Sequence, residues 1–186
     1  MATEIAEFCL ADAAAWREWL DAHEDTQDAV WLVLAKKGTT SPTSLTYDHA
    51  LDEALCSGWI DGQKRSRDQA TFLQRFTPRR ARSQWSARNV QHIARLEADG
   101  RMRARGRRLV DEAKADGRWD RAYAGSADAV VPDDLAAALA AAPELGVRFE
   151  ALSRADRFSS LHPLMSAATP EVRARRLAKV LGKLRG

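Results

Sequence analysis

The stretch ALCSGWIDGQ, residues 54–63, decides how the first half of the chain folds. It closes an apolar helical run and then sets Trp59, Ile60 and Asp61 between Gly58 and Gly62. Upstream, Thr46 stands where a helix N-cap belongs, and Tyr47, Ala50, Leu51, Ala54 and Leu55 form one apolar stripe at helical spacing. Gly58 ends that helix, because glycine takes the left-handed conformation without steric cost. The chain must then re-enter the core. WID is therefore expected to open a strand over roughly 59–67, with Trp59 as its anchor and Asp61 fixing the turn.

Working outward, the partner of that strand is TFLQRF, residues 71–76, reached through RDQA. Before the helix, the run VWLVLA within DAVWLVLAKKG reads as a strand at 29–36, and EIAEFC, residues 4–9, as a short one. Between these two, ADAAAWREWLDAH reads as a helix capped by Asp12, with Trp16, Trp19, Leu20 and His23 at helical spacing. After Pro78 the pattern turns helical: Ser83 or Ser86 can cap a helix that carries Trp85, Val90, Ile93 and Leu96 inward and stops at Gly100. A further helix is expected over about 104–116.

The rest is punctuated by prolines. Pro132 and Pro143 each open a helix, Ser153 with Asp156 suggests a capping arrangement for a third, and Thr169-Pro170-Glu171 is a strong start signal for the last. The expectation is an α+β protein. A small, mostly antiparallel sheet flanked by helices fills residues 1–118, 119–131 are a linker, and 132–186 form an all-helical module. Trp119 is expected to pack as a core tryptophan.

Composition narrows the function classes. Of the 186 residues, 45% are hydrophobic and 30% charged, which suits a water-exposed globular chain with a sizeable core. No apolar run reaches the length of a membrane span. The acidic start MATEIAEFCLAD lacks the basic-then-apolar order of a signal peptide, so a cytoplasmic location is expected. Cys9 and Cys56 are too few for a disulfide framework, and His23, His49, His92 and His162 form no metal-binding spacing. Neither a metal nor another cofactor is expected.

The net charge of +3 conceals a strong asymmetry. Residues 1–63 hold 3 Lys/Arg against 12 Asp/Glu, whereas residues 64–108 hold 14 against 3. An acidic head thus precedes a strongly basic middle.

The ordered words ALCSGWIDGQ, FLQRFTPRRARSQWSARN, GRM and AKADGRW, followed by VPDDLAAAL and ATPEVRARRLAKVL, resemble the YdeI/OmpD-associated, or bacteriocin-protection, family over roughly residues 5–184. The resemblance implies a role in envelope stress or protection rather than a reaction. It carries recurrent positions onto Gly58, Trp59, Ile60 and Asp61, onto Arg79, Arg80, Ser83, Trp85, Ser86 and Asn89, and onto Gly117, Arg118 and Trp119. Arg103-Ala104, Ala81-Arg82 and Ala168 depart from its pattern, and Ala168 removes a lysine that the family usually places there.

Two chemistries compete at these positions. Asp61 beside Trp59 can act as a general base if it is desolvated, yet no partner nucleophile stands at fixed spacing. Alternatively it bonds the backbone or an arginine at the turn. Arg79 and Arg80, just ahead of a helix start, can hold an anion with Ser83 and Ser86, and Trp85 offers a stacking face for a base. The competing reading pairs those charges with the acidic head. The expected ligand-binding set is Trp59, Asp61, Arg79, Arg80, Ser83, Trp85, Ser86 and Asn89, with no catalytic residue assigned. A non-enzymatic protection-type protein that binds a phosphorylated small molecule is favoured over a nucleic-acid module using residues 64–108, and an enzyme comes third. The basic C-terminal run RARRLAKVLGKLR is amphipathic, but its narrow apolar side suits docking on neighbouring helices better than a membrane. The residues leave the oligomeric state open.

Overall fold

The computed structural model describes residues 7–125, 128–167 and 169–186. The chain divides into two compact units. One comprises the residues through Ser83 together with Asn89–Gly117, and the other Gln84–Arg88 together with Arg118–Gly186.

The first unit begins with β1 (Glu7–Phe8), α1 (Ala13–His23), β2 (Val30–Ala35), α2 (Tyr47–Cys56), β3 (Trp59–Ser66) and β4 (Thr71–Pro78). It closes with α3 (Ala87–Ala98), of which it holds the part from Asn89 onward, and α4 (Ala104–Ala115). The α+β expectation is met: the sheet order is β1-β2-β4-β3, with β1 parallel to β2 and the other two pairings antiparallel. Of the strand expected at 4–9, residues 4–6 lie outside the described residues.

The caps read from sequence are in place. Asp12 accepts from the Ala15 amide, and Thr46 from His49. Register then sorts the side chains. Val30 pairs with Phe76, Leu32 with Gln74 and Leu34 with Phe72, while Trp59 and Asp61 on β3 stand opposite Pro78 and Phe76. These residues share the sheet face on which α1 and α2 lie. There Trp16 and Leu20 meet Leu51, Leu55 and the sheet, all fully or almost fully buried.

Trp59 is fully buried, as its position after Gly58 demanded. Its ring stands edge-on to Trp16 at 6.3 Å and to Trp19 at 5.8 Å, and its indole N–H donates to the Glu24 carbonyl at 3.2 Å. Trp19 is only partly buried. It stacks on Trp16 at 5.1 Å and on His23 at 4.8 Å, so it covers the core edge. The opposite sheet face carries a smaller cluster of Trp31, Val33 and Leu73, over which the Arg65 guanidinium lies 4.2 Å from the Trp31 ring.

Two glycines make the helix contacts possible. Gly58 has φ +71°, and a Cβ there would stand 2.7 Å from Leu109 Cδ1, so both backbone and space require glycine. At Gly106 in α4 a Cβ would stand 2.2 Å from the Cys56 carbonyl oxygen. α4 therefore approaches the end of α2 more closely than any other residue would permit.

The second unit is helical: α5 (Asp133–Ala140), α6 (Pro143–Glu150), α7 (Arg154–Met165) and α8 (Pro170–Arg185). Ser153 accepts from the Asp156 amide and Thr169 from Val172, as the start signals implied. Its core joins Leu135, Phe149, Leu161, Leu164, Val180 and Leu184. Leu177 and Leu181 of α8 pack against this core, so the apolar side of the last helix is used within its own unit. Arg173 grips Asp134 through two nitrogens at 2.6 and 2.9 Å, tying α8 to α5. In the same unit Trp85 meets Trp119 at 5.0 Å, and Ser86 forms a parallel bridge with Tyr123.

Replacing Trp59 with alanine is expected to cost about 3–5 kcal/mol, as large aromatic truncations in cores do. Gly106→Ala should cost about 1–3 kcal/mol or more through overpacking against a carbonyl that has no room to yield. Gly182→Ala, where no atom lies within 4 Å, should be neutral or gain up to about 1 kcal/mol of helix propensity. Denaturant midpoints of the three variants check this ordering.

Candidate functional site

The acidic head and basic middle meet through residues that were not singled out from sequence. Asp52 and Glu53, adjacent on α2, are 7% and 8% exposed and lie inside the first unit. Arg95 of α3 donates to Asp52 Oδ1 at 2.6 Å, and His92 Nδ1 lies 3.2 Å from the same oxygen. Arg101 spans both acids, at 3.4 Å to Asp52 and 2.6 Å to Glu53. Arg103 reaches Glu53 Oε2 at 2.5 Å, the Glu53 carbonyl at 3.0 Å and Ser57 Oγ at 2.7 Å, while its Nε lies 3.0 Å from Asp21. Arg105 donates to the Glu24 carbonyl and lies 3.3 Å from Asp25.

Burial pushes the Asp52 carboxyl up. The hydrogen bonds from Arg95 and His92 and the charges of Arg95 and Arg101 outweigh that effect and hold it below its ordinary value. Cys56, at the end of the same helix, is pushed up to about 11, first by burial and then by the Glu53 charge. Its thiol stays protonated and unreactive at neutral pH.

A second group of arginines lies at the far end of β4. Arg75, Arg79 and Arg80 line a cavity of about 720 Å³ in the first unit, with Thr77, Ser83 and a single carboxylate, Asp28. The strand register produces this grouping. Ile60 pairs with Thr77, and Arg75 alternates with the buried Phe76, so these side chains take the sheet face away from α1 and α2. Past the end of β4, the Arg79 amide donates to the Gly58 carbonyl at 2.9 Å, so the turn that ends α2 also fixes the arginine pair. Ser83 donates its amide to the Arg80 carbonyl, closing a turn that brings its side chain to the cavity. Arg79 is 5% exposed and Arg80 is exposed, so the two are not equivalent. The Arg75 Nε is buried without a hydrogen-bond partner among the described residues.

The eight residues expected from sequence are thus distributed. Arg79, Arg80 and Ser83 come together. Trp59 is in the core, and Asp61 lies on the helix-covered face, where Tyr47 Oη donates to its Oδ2 at 2.8 Å. The register puts Asp61 on the face opposite Arg75, so it does not join the arginine cavity. Trp85 and Ser86 belong to the second unit, and Asn89 is buried in α3. The helix begins at Ala87, so of the two expected caps Ser86 stands at its start and Ser83 does not. No free helix terminus therefore follows directly on Arg79-Arg80.

Arg75 and Thr77 were absent from the expected set. Their alternation with Phe76 was the available signal. Among the described residues no group of three or more His, Cys, Asp or Glu side chains is placed to hold a metal ion.

Residues 8–109 match the family model described as a domain of unknown function, DUF8412. The chain belongs to that family. Residues 128–186 match a second model, bacteriocin-protection, YdeI or OmpD-associated. The chain thus carries a YdeI/OmpD-associated domain in its second unit, while WID, Arg79 and Arg80 fall within the DUF8412 span. Neither a curated protein nor a solved structure matches the chain. In the DUF8412 domain, then, the arginine cavity rests on geometry alone.

Asp52 allows a test of the buried cluster. Its folded value is depressed, so its contribution to stability is complete above the ordinary carboxylate range and is lost as pH falls below it, near about pH 4. Asp68 and Asp134 are depressed too and share this window. Asp52→Asn should therefore flatten, but not abolish, the acid-side loss of stability, measured as denaturation midpoint between about pH 3 and 6. At neutral pH Asp52→Ala should cost about 1–3 kcal/mol, because it removes charged hydrogen bonds from Arg95 and Arg101, which stay partly exposed to water.

Proposed function

We propose that this member of the DUF8412 family, with its YdeI/OmpD-associated domain, is a cytoplasmic, non-enzymatic protection-type protein. In this reading it binds a small phosphorylated or otherwise anionic molecule in the cavity of Arg75, Arg79 and Arg80. The observation that carries the reading is the composition of that cavity: three guanidinium groups and two hydroxyl side chains against one carboxylate. Guanidinium forks match the paired oxygens of phosphate and carboxylate, and Thr77 and Ser83 can each add a hydrogen bond. The two unpaired thiols, Cys9 and Cys56, fit a reducing compartment. Among the described residues no helix is long and apolar enough to cross a membrane.

A discrete anion site is favoured over a polynucleotide surface because so much of the basic middle is used internally. Arg95, Arg101, Arg103 and Arg105 all face carboxylates of the same unit. The cations that line the cavity form a compact group rather than a long track, whereas single-strand binders combine an extended basic groove with open aromatic faces.

Titration calorimetry with inorganic phosphate and nucleoside monophosphates at about 50 and about 200 mM salt tests the proposal. Saturable binding at one site is expected for at least one of these. Arg80→Ala should weaken it about tenfold or more, as loss of a charged hydrogen bond does, while leaving the melting profile unchanged because Arg80 is exposed. Absence of binding by any of these anions would overturn the reading. Steeply salt-dependent binding of single-stranded DNA or RNA in their place would establish the polynucleotide alternative.

A further inference from the structure

The second unit contains a groove of its own, about 600 Å³, between α7 and α8. That volume lies in the range of small-molecule sites. Its chemistry is two-sided. Leu152, Pro163, Val180 and Leu184 supply an apolar floor, and two of them, Val180 and Leu184, are the edge of the unit's buried core. Arg176, Lys179 and Lys183 supply three cations from one side of α8, where spacings of three and four residues keep side chains on one face. The row extends about 10 Å along the helix axis. Only one carboxylate, Asp156, lines the same groove, and its Oδ2 already accepts from Ser153 Oγ at 2.6 Å.

The cations differ in freedom. Arg176 donates to the Pro163 carbonyl at 2.7 Å and to Ser166 Oγ at 3.2 Å, which holds it in place at one end. Lys179 and Lys183 are exposed. The α7 wall offers further polar groups. Pro163 lies inside that helix and has no N–H, so the Ser159 carbonyl four residues earlier lacks its helical donor. Ser159 and Ser160 both line the groove. Burial, followed by the Arg176 charge, holds His162 below its ordinary value, so the imidazole there is neutral at pH 7.

We infer that this groove binds an amphiphilic anion: a molecule with an apolar chain that lies on Leu152, Val180 and Leu184 and an acidic head held by Arg176, Lys179 and Lys183. An inorganic anion would leave the apolar floor in water, and a neutral apolar compound would leave the cation row without a counter-charge. A linear acid of moderate chain length satisfies both sides. Its head can be a carboxylate or a phosphate monoester, since both accept from the same ammonium and guanidinium donors. The site is independent of the arginine cavity in the first unit.

Titration of the full chain with decanoate, decyl phosphate, decanol and inorganic phosphate, followed by calorimetry and by amide NMR shifts in α7 and α8, tests the inference. Saturable binding of one equivalent is expected for decanoate or decyl phosphate, with the stronger of the two identifying the head group. Decanol should bind at least about tenfold more weakly, since each lost charged hydrogen bond is worth that much. Lys179→Glu with Lys183→Glu, both at exposed positions, should abolish binding of the two acids with an unchanged melting profile. The same variant should leave any phosphate binding sensitive to Arg80→Ala untouched, so that the two sites succeed or fail separately. Equal binding of decanol and decanoate, or acid binding that survives the double reversal, would overturn the inference. So would the absence of shifts in α7 and α8.

Discussion

Two carboxylates side by side on a buried turn of α2 organise the first unit. Asp52 and Glu53 have little access to water, so the chain that follows the sheet must bring them cations. It does so from successive points: Arg95 with His92 on α3, Arg101 in the connection and Arg103 at the cap of α4. The backbone enforces the same closure, because the Arg103 amide donates to the Cys56 carbonyl at 3.1 Å and Gly106 lies against that carbonyl. A buried ion cluster is a weak source of net stability, since the attraction mostly offsets desolvation. Its value here is in register. Sliding α4 by one residue would set a side chain where only glycine fits and take Arg103 off Glu53.

The same closure accounts for the charge asymmetry. An excess of arginine in one segment and of acid in another looks like a binding surface when read along the chain. Folded, several of those charges neutralise one another within the unit: Arg95, Arg101 and Arg103 each meet a carboxylate of α2. Net charge per segment is therefore a poor measure of the charge available to a ligand.

Local signals in the sequence were sufficient for the elements. Asp12, Thr46, Ser153 and Thr169 all cap where their side-chain oxygens predict, and Gly58 ends α2 with the positive φ it was placed there to adopt. The groupings were harder. Asp52 and Glu53 lie outside the apolar stripe read from sequence, and nothing local marks a carboxylate that will meet an arginine more than forty residues later. Asp61 and Arg79 seemed able to share a cleft. Which face each strand residue takes depends on pairing, and an irregularity between Asp61 and Lys64 resets the alternation along β3. The single hint was Gly62. Within the arginine cavity, Arg79 and Arg80 could be named from their adjacency to the strand end, whereas Arg75 and Thr77 needed the register.

That irregularity in β3 has a second effect. β3 is the outer strand beside β4, eight residues long, and among the described residues one of its sides has no strand neighbour in the sheet. An even edge of this length invites a strand from another molecule. Here the Gln74 side chain donates to the Gly62 and Gln63 carbonyls at 2.9 and 3.2 Å, holding the kink in place, and Lys64 and Arg65 follow it directly. A bent edge lined with cations pairs badly with another copy of itself. The glutamine that pins the kink thus also guards the chain against edge-to-edge aggregation.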